Sequence, residues 1–437
     1  MKSTYSLNPV IVLMSTLLLS ILVSCGGGSG GSSSDSGEGS SSSSGVDSSS
    51  SSSGVDSSGS GGSVGTEFAD SASTPPPCDL TINPGDSFIS AFSQLGSGET
   101  LCLSDGVYQQ VMEIPGNTNV RAVNDGMAEI DGSDVLGGNK ALLSMRGDNS
   151  FVRGLKVYHA AELANACSIG GNNNIMIAMS CSHGGSFKHK IPLGIGGSGH
   201  LIADSWFYGE GRYVVQCFLG DNITLRRNVV RWDETIAGEP NEPNAAMSNY
   251  SCKDMIWENN ISLDYGIPAT AMIHCGDFCM STINDVEAEF SAFNGQKNTN
   301  VQYLGNIVFN HDPATSNNVA FRADQKGSIP SGNITIKDFF ARSVGSAFVF
   351  KPIYQNVNIE SCTTVDVISD GNDGSQAVSC ADDALPIRYV DGVATSDPLA
   401  PWPNELLIKR DMCDAAERQS DWCQTNLTLT EYIIDGL

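Results

Sequence analysis

One short phrase recurs along the chain: a polar residue, most often Asn, followed by alternating apolar positions. It appears as Asn119-Val120-Arg121-Ala122, Asn174-Ile175-Met176-Ile177, His200-Leu201-Ile202-Ala203 and Asn222-Ile223-Thr224-Leu225. It returns as Asp254-Met255-Ile256-Trp257, Asn300-Val301-Gln302-Tyr303, Asn333-Ile334-Thr335-Ile336 and Asn356-Val357-Asn358-Ile359. Short alternation marks a half-buried strand, because successive side chains of a strand point to opposite faces. A second Asn, Cys or small residue often follows five or six positions on, as at Asn228, Asn259 and Asn306. The closest spacings are 22 to 26 residues, from Asn174 to His200 to Asn222 and from Asn333 to Asn356. Gaps near 32 and 46 residues read as coils with inserted loops. A period in this range predicts a solenoid, in which stacked coils bury one continuous core. No amphipathic helix separates the strands, which excludes a doubly wound sheet or a (β/α) barrel. The Leu-rich signature of a leucine-rich repeat is absent, and a β-sandwich remains the structural alternative.

Residues 82–135 read INPGDSFISAFSQLGSGETLCLSDGVYQQVMEIPGNTNVRAVNDGMAEIDGSDV. This resembles the opening of pectate-lyase-like proteins. In that family a short capping helix, here near Ser87 to Leu95, precedes a strand and a D-G-x-Y turn, here Asp105-Gly106-Val107-Tyr108. An "R-A" strand and an "I-D-G" turn follow, here Arg121-Ala122 and Ile130-Asp131-Gly132. The resemblance implies an all-β chain folded as a single-stranded right-handed parallel β-helix over residues 78–385. This fold serves lyases, hydrolases, esterases and adhesins, so it leaves activity open. Residues 386–437 change character, with Pro398 to Pro403 reading PLAPWP and an amphipathic stretch from Asn404 to Gln419. A partly helical C-terminal cap is expected here, since a solenoid needs a terminal element to protect its open end.

The N-terminus carries Lys2 and an apolar run from Val10 to Val23, too short for a membrane span and fitting a secretory leader over residues 1–24. It ends in Leu22-Val23-Ser24-Cys25, which resembles the bacterial lipoprotein signal. That resemblance implies lipidation of Cys25 and, with Gly26 following it, an outer-membrane or cell-surface location. The membrane is then met through the lipid anchor alone. Residues 25–77 hold the anchor and a Ser/Gly-rich tether with too little apolar surface to offset its ordering entropy. Besides Cys25 there are 12 cysteines, an even set that suggests disulfides in an oxidising compartment.

Net charge is −26, which argues against a nucleic-acid partner, because phosphate binding needs Lys and Arg. Residues 181–231 run the other way, with six basic side chains (Lys188, Lys190, Arg212, Arg226, Arg227, Arg231) against Asp204, Glu210 and Asp221. Such an island is either a candidate anion site or a run of turn residues paired with nearby acids. Lys190 lies ten residues before the His200 phrase and Arg212 ten before the Asn222 phrase. Stacked in register, they stand on adjacent coils about 4.8 Å apart. Alternation puts Lys188 and Lys190 outside, and likewise Arg212 and Gln216.

An exposed Lys and Arg one coil apart resemble the chondroitinase-B and alginate lyase group. The resemblance implies Lys190 as the base that takes the proton alpha to a uronate carboxylate, and Arg212 as the residue assisting the leaving oxygen. Lys188, His189, His200, Tyr213, Arg226 and Arg227 are the expected substrate contacts. The group's calcium-ligand carboxylates are missing before Lys190, where the chain reads Ser182-His183-Gly184-Gly185-Ser186, so Arg226, Arg227 or His200 would neutralise the substrate instead. Asp277, Asp285, Glu287 and Glu289 offer oxygens for calcium but fit a solvated loop equally. His274 with Cys275 and Cys279 makes a poor zinc set, and the Gly-rich run 194–199 lacks a Walker lysine. The cofactor therefore stays unassigned and no metal site is named. The expectation is a monomeric, surface-anchored lyase acting on an acidic polysaccharide by β-elimination. The alternatives are a non-catalytic glycan-binding or adhesion protein and a β-helix glycoside hydrolase, the latter needing paired carboxylates such as Asp204, Asp221, Asp233 or Glu234.

Overall fold

The computed structural model describes residues 74–435, apart from 136–137, 159, 161–162, 183–190, 210–212, 233–244, 264–272, 277–297, 310–318, 324–331, 351–356, 374–375, 383, 391–392, 396–408, 410–412 and 414–420. The described strands form three long sheets, the first and second of eleven members and the third of ten. Each coil contributes one strand to each sheet in turn, so neighbours within a sheet come from successive coils and run parallel. The chain is a right-handed parallel β-helix. The coil through Leu201–Ala203 (first sheet), Trp206–Gly209 (second) and Tyr213–Phe218 (third) is representative.

The corner between the first and second sheets is cut by a single residue in the left-handed region: Asp204, Arg227, Asn259, Gly305 and Asp338 on successive coils. Just after it, buried side chains stack as a ladder. Asn228 Oδ1 accepts from Ser205 N at 3.1 Å, Asn260 Oδ1 from Asn228 N at 3.0 Å, and Asn306 Oδ1 from Asn260 N at 3.0 Å. Each amide satisfies a backbone donor that the turn would otherwise leave buried and unpaired. The recurring second Asn of the sequence is therefore this rung; Asn259 itself belongs to the corner.

At the N-terminal end, Phe88–Phe92 is a short helix capped by Ser87, whose hydroxyl accepts from Ser90 N at 3.3 Å. Its buried Phe88 stacks on Tyr108 with ring centroids 5.5 Å apart, closing the first coil. The helix is shorter than the expected Ser87 to Leu95. Ten of the cysteines form the bridges Cys78–Cys102, Cys167–Cys181, Cys217–Cys252, Cys362–Cys380 and Cys413–Cys423.

The C-terminal segment is partly helical, as expected, and among its described residues Trp422 and the helix Leu429–Asp435 lie along the outer face of the second sheet. There Trp422, Leu429, Tyr432 and Ile433 cover Trp206, Val229, Ile261, Ile307 and Phe340. A hairpin, Arg388–Val390 with Val393–Thr395, docks on the corner through Tyr389 N to Asn259 Oδ1 at 2.7 Å and Tyr389 Oη to Asp338 Oδ2 at 2.5 Å. The physical reason is that these strands are apolar on both faces, so the outer face also needs cover.

Candidate active site on the third sheet

Lys188, His189, Lys190 and Arg212, like the lipidation candidate Cys25, lie outside the described residues. The strands that follow the two proposed catalytic residues are described. Ile191–Ile195 and Tyr213–Phe218 are neighbours in the third sheet, with Leu193 paired to Val215. Lys190 and Arg212 thus each precede a register-matched residue by three positions.

The strands of this sheet break simple alternation. On six of the coils, two consecutive side chains enter the core: Leu142 and Leu143, Ala166 and Cys167, Val214 and Val215, Ala246 and Met247, Ala320 and Phe321, Ala347 and Phe348. Residues on either side of this pair then share the outer face. Ile191, Tyr213, Ala245 and Tyr250 form a separate apolar cluster there, with Phe218 packed against it. The register aligns a second outer column of Ser168, Gly194, Gln216, Ser248 and Arg322, with the backbone of His274 at the same position of the strand between the last two. A side-chain carbon on Gly194 would stand 2.8 Å from Asn165 Nδ2, so this position is kept bare. Gln216 is outside, as alternation predicts, but Tyr213 joins it there.

Tyr213 and Tyr250 are both buried, and their hydroxyls are hydrogen-bonded to each other. Ring centroids lie 5.6 Å apart at 63°. Tyr213 pairs with Ala245 in the register and Tyr250 lies five residues further along, so the two rings lean toward one another along the outer face. Ser248 lies between them in the register, is fully buried, and its Oγ has no hydrogen-bond partner. Tyr250, Ser248 and Arg322 were missed from the sequence because the inward pair shifts the parity from which outer positions are counted.

The rest of the basic island is engaged within the coil. Arg227 donates to Asp204 through Nε at 2.7 Å and Nη2 at 2.9 Å, and the Asp204 side chain is fully buried. Arg226 Nε stands 3.0 Å from Glu258 Oε1, on a side chain only 3% exposed. Arg231 is fully buried in the second sheet. Lys253 pairs with Asp221 at 2.7 Å, which raises the lysine's pKa. Arg226, the last residue of the strand Asp221–Arg226, and Arg227, at the corner, thus both stand against buried acids.

His200 is corrected as a substrate contact. It is 2% exposed, its Nδ1 accepts from Asn174 N at 3.1 Å, and its Nε2 meets Gly196 O at 2.8 Å. It is the next rung after Asn174, whose Oδ1 accepts from Ser150 N at 2.7 Å. Burial pushes its pKa down to about 4, while the Gly196 carbonyl pulls the other way. Because the folded pKa lies below the unfolded one, the contribution to stability is complete above about pH 6.5 and is lost as pH falls toward 4. The amount is on the order of 3 kcal/mol. His200→Asn supplies the rung of the preceding coil without a titrating group. Its urea midpoint should therefore fall less between pH 7.5 and 4.5 than that of the parent; identical falls would remove this assignment.

Among the described residues, no group of three or more His, Cys, Asp or Glu is placed to hold a metal ion. The candidate calcium and zinc residues Asp277, Asp285, Glu287, Glu289 and Cys279 lie outside the described residues. No helix among the described residues is long and apolar enough to cross a membrane.

No protein-family model and no curated protein sequence matches the chain. Solved structures with similar winding include a pectate lyase, at 14% identity and a TM-score of 0.46, over 73% of this chain and 82% of that one. The A-module of a mannuronan C-5 epimerase from Azotobacter vinelandii is similar at 13% identity and a TM-score of 0.47, over 65% and 72%. An alginate lyase from Paenibacillus sp. is similar at 13% identity and a TM-score of 0.42, over 64% and 99%.

Proposed function

We propose that the protein is an exported polysaccharide lyase, tethered through Cys25 to the outer membrane, that cleaves an acidic, uronate-containing polysaccharide by β-elimination. The observation that carries this reading is the Leu193 to Val215 register, with Lys190 and Arg212 each three residues ahead of it. Lys190 is the base for the proton alpha to the carboxylate, and Arg212 assists at the leaving oxygen. Neighbouring cations favour the neutral amine that a base requires. Neutralisation of the substrate carboxylate passes from Arg226, Arg227 and His200 to cations facing the third sheet. Lys188 is one candidate. Arg322 is another, in the outer column three strands from Gln216, about 14 Å along the sheet. Of the carboxylates the glycoside hydrolase alternative would use, Asp204 and Asp221 are held by cations, and Asp233 and Glu234 lie outside the described residues. Incubation with alginate, pectate and glycosaminoglycans should raise the ultraviolet absorbance for one of them, because only elimination makes an unsaturated sugar. Binding without any new absorbance would leave the glycan-binding reading.

A further inference from the structure

The first sheet carries an apolar patch on its outer face. Val120, Val152, Met176, Ile202 and Leu225 point into the core, so their neighbours along each strand point out. On three successive strands these outward residues include Phe151, then Ile175 and Ile177, then Leu201 and Ala203. Phe151, Ile175, Ile177 and Ala203, with Ala178 at the corner, form a cluster of their own, and each is 7% exposed or less. On the second sheet the comparable outer cluster includes the side chains that cover it, Trp422, Leu429, Tyr432 and Ile433. Among the described residues, the cluster on the first sheet holds side chains of the sheet and its corner alone. The arginines at the two ends of the column bond away from it, Arg153 to Asp125 at 2.9 Å and Arg226 to Glu258 at 3.0 Å. A sheet face buried this deeply has a second layer over it.

We propose that this layer is the segment 67–73 of the chain itself, directly ahead of the first described residue, with Phe68 seated on the patch. The path of the chain into the fold supports it. Cys78 is bridged to Cys102, an outward residue of the strand Thr100–Leu103. Two residues earlier, Pro76 is buried and its carbonyl accepts from Arg121 Nε at 2.8 Å, one strand further along the solenoid. Cys102, Arg121, Arg153, Ile177 and Ala203 stand in one column of the register. Followed backwards from Cys78, the chain therefore climbs this column toward the patch. From Arg121 to Ala203 is three strands, about 14 Å. Phe68 stands eight residues ahead of Pro76, an extended reach of about 26 Å.

The composition of the segment fits. Between Cys25 and Thr74 the chain is rich in Ser and Gly, and Phe68 is its one aromatic residue. Ala69 and Ala72 add small apolar side chains, and Glu67 and Asp70 are acids beside a patch bordered by Arg121, Arg153 and Arg226. Burial of one phenylalanine is enough to favour the docked segment roughly 10- to 100-fold. The tether then leaves the solenoid over the first sheet, and the outer face of the third sheet stays clear of it. A second copy of the chain is the competing occupant, and the test separates the two.

The full chain with p-benzoylphenylalanine in place of Phe68 should be irradiated and its crosslinks mapped by mass spectrometry. Crosslinks are expected within one molecule, to peptides holding Phe151–Arg153, Ile175–Ile177 or Leu201–Ala203. The same photoreactive residue in place of Val46, in the Ser/Gly stretch, should show no such preference. A glutamate-specific protease gives an independent readout, because Glu38 and Glu67 are cleavage sites in the same molecule. Normalised to synthetic peptides of the two sites, cleavage after Glu67 should be at least about 10-fold slower than after Glu38, since cleavage waits for undocking. Phe68→Ser should remove most of that difference. Crosslinks that join two molecules would assign the patch to a second copy and overturn the proposal. Crosslinks from position 68 to the other sheets alone, or equal cleavage after Glu38 and Glu67, would overturn it as well.

Discussion

Deletion of residues 421–437 is expected to abolish cooperative folding of the coils that it covers. The deleted segment contains Trp422, Leu429, Tyr432 and Ile433, all buried on the outer face of the second sheet. Its removal bares Trp206, Val229, Ile261, Ile307 and Phe340, each 1% exposed or less in the intact protein. Burial of one such side chain contributes about 1.5–3 kcal/mol, so the loss reaches at least about 5 kcal/mol. That approaches the whole stability of an ordinary domain. The bared strip would also present a contiguous apolar patch to other molecules. Urea denaturation and light scattering should show a large fall in midpoint together with aggregation. Trp422→Ala should lose about 3–5 kcal/mol by the same argument. A deletion variant with the parent's midpoint would mean that the outer face of the second sheet is stable without cover.

The largest expected effect on chemistry belongs to Lys190→Ala. Removing the base leaves the other cations in place to hold an anionic chain, so the loss should fall on kcat, with polymer binding largely intact. A positioned base contributes about 10²–10⁴-fold, and a loss in that range is expected. Arg226→Ala should behave differently, contrary to a role as a surface charge for the polymer. It leaves the Glu258 carboxylate, 3% exposed, without its ion-pair partner. The variant should therefore lose stability, by about 3–5 kcal/mol if the pair behaves as a buried one, and little affinity. A folded Lys190→Ala protein with undiminished cleavage removes this residue from the mechanism.

The architecture was legible because its determinants are local and repeated. The polar residue of the phrase turns through the left-handed region at Asn222, Asp254, Asn300 and Asn333 and is a buried rung at Asn174 and His200, and the alternating residues after it mark a strand of the first sheet, as at Ile223 to Leu225. The rungs Asn228, Asn260 and Asn306 recur because each coil poses the same unsatisfied backbone donor. The site was less legible because charge in sequence does not report the partner across the coil. Arg227 and Asp204 are 23 positions apart yet share a bidentate pair, and Arg226 and Glu258 meet across adjacent strands. His200 looked like a ligand because it is polar and lies in a basic stretch, but it replaces an Asn in a ladder. Parity counting from Tyr213 failed because Val214 and Val215 both turn inward. Trp206-Phe207-Tyr208 and Ile307-Val308-Phe309 are apolar on both faces, a sign in the sequence that a second layer lies over the sheet.

The central claim is that the outer face of the third sheet handles an acidic polysaccharide, and a crystal structure of Lys190→Ala soaked with a uronate oligomer tests it most directly. Sugar rings should cross the strands of the third sheet on the outer face that carries Gln216. An oligomer bound along the first sheet, or at either end of the solenoid, with the third sheet bare would contradict it.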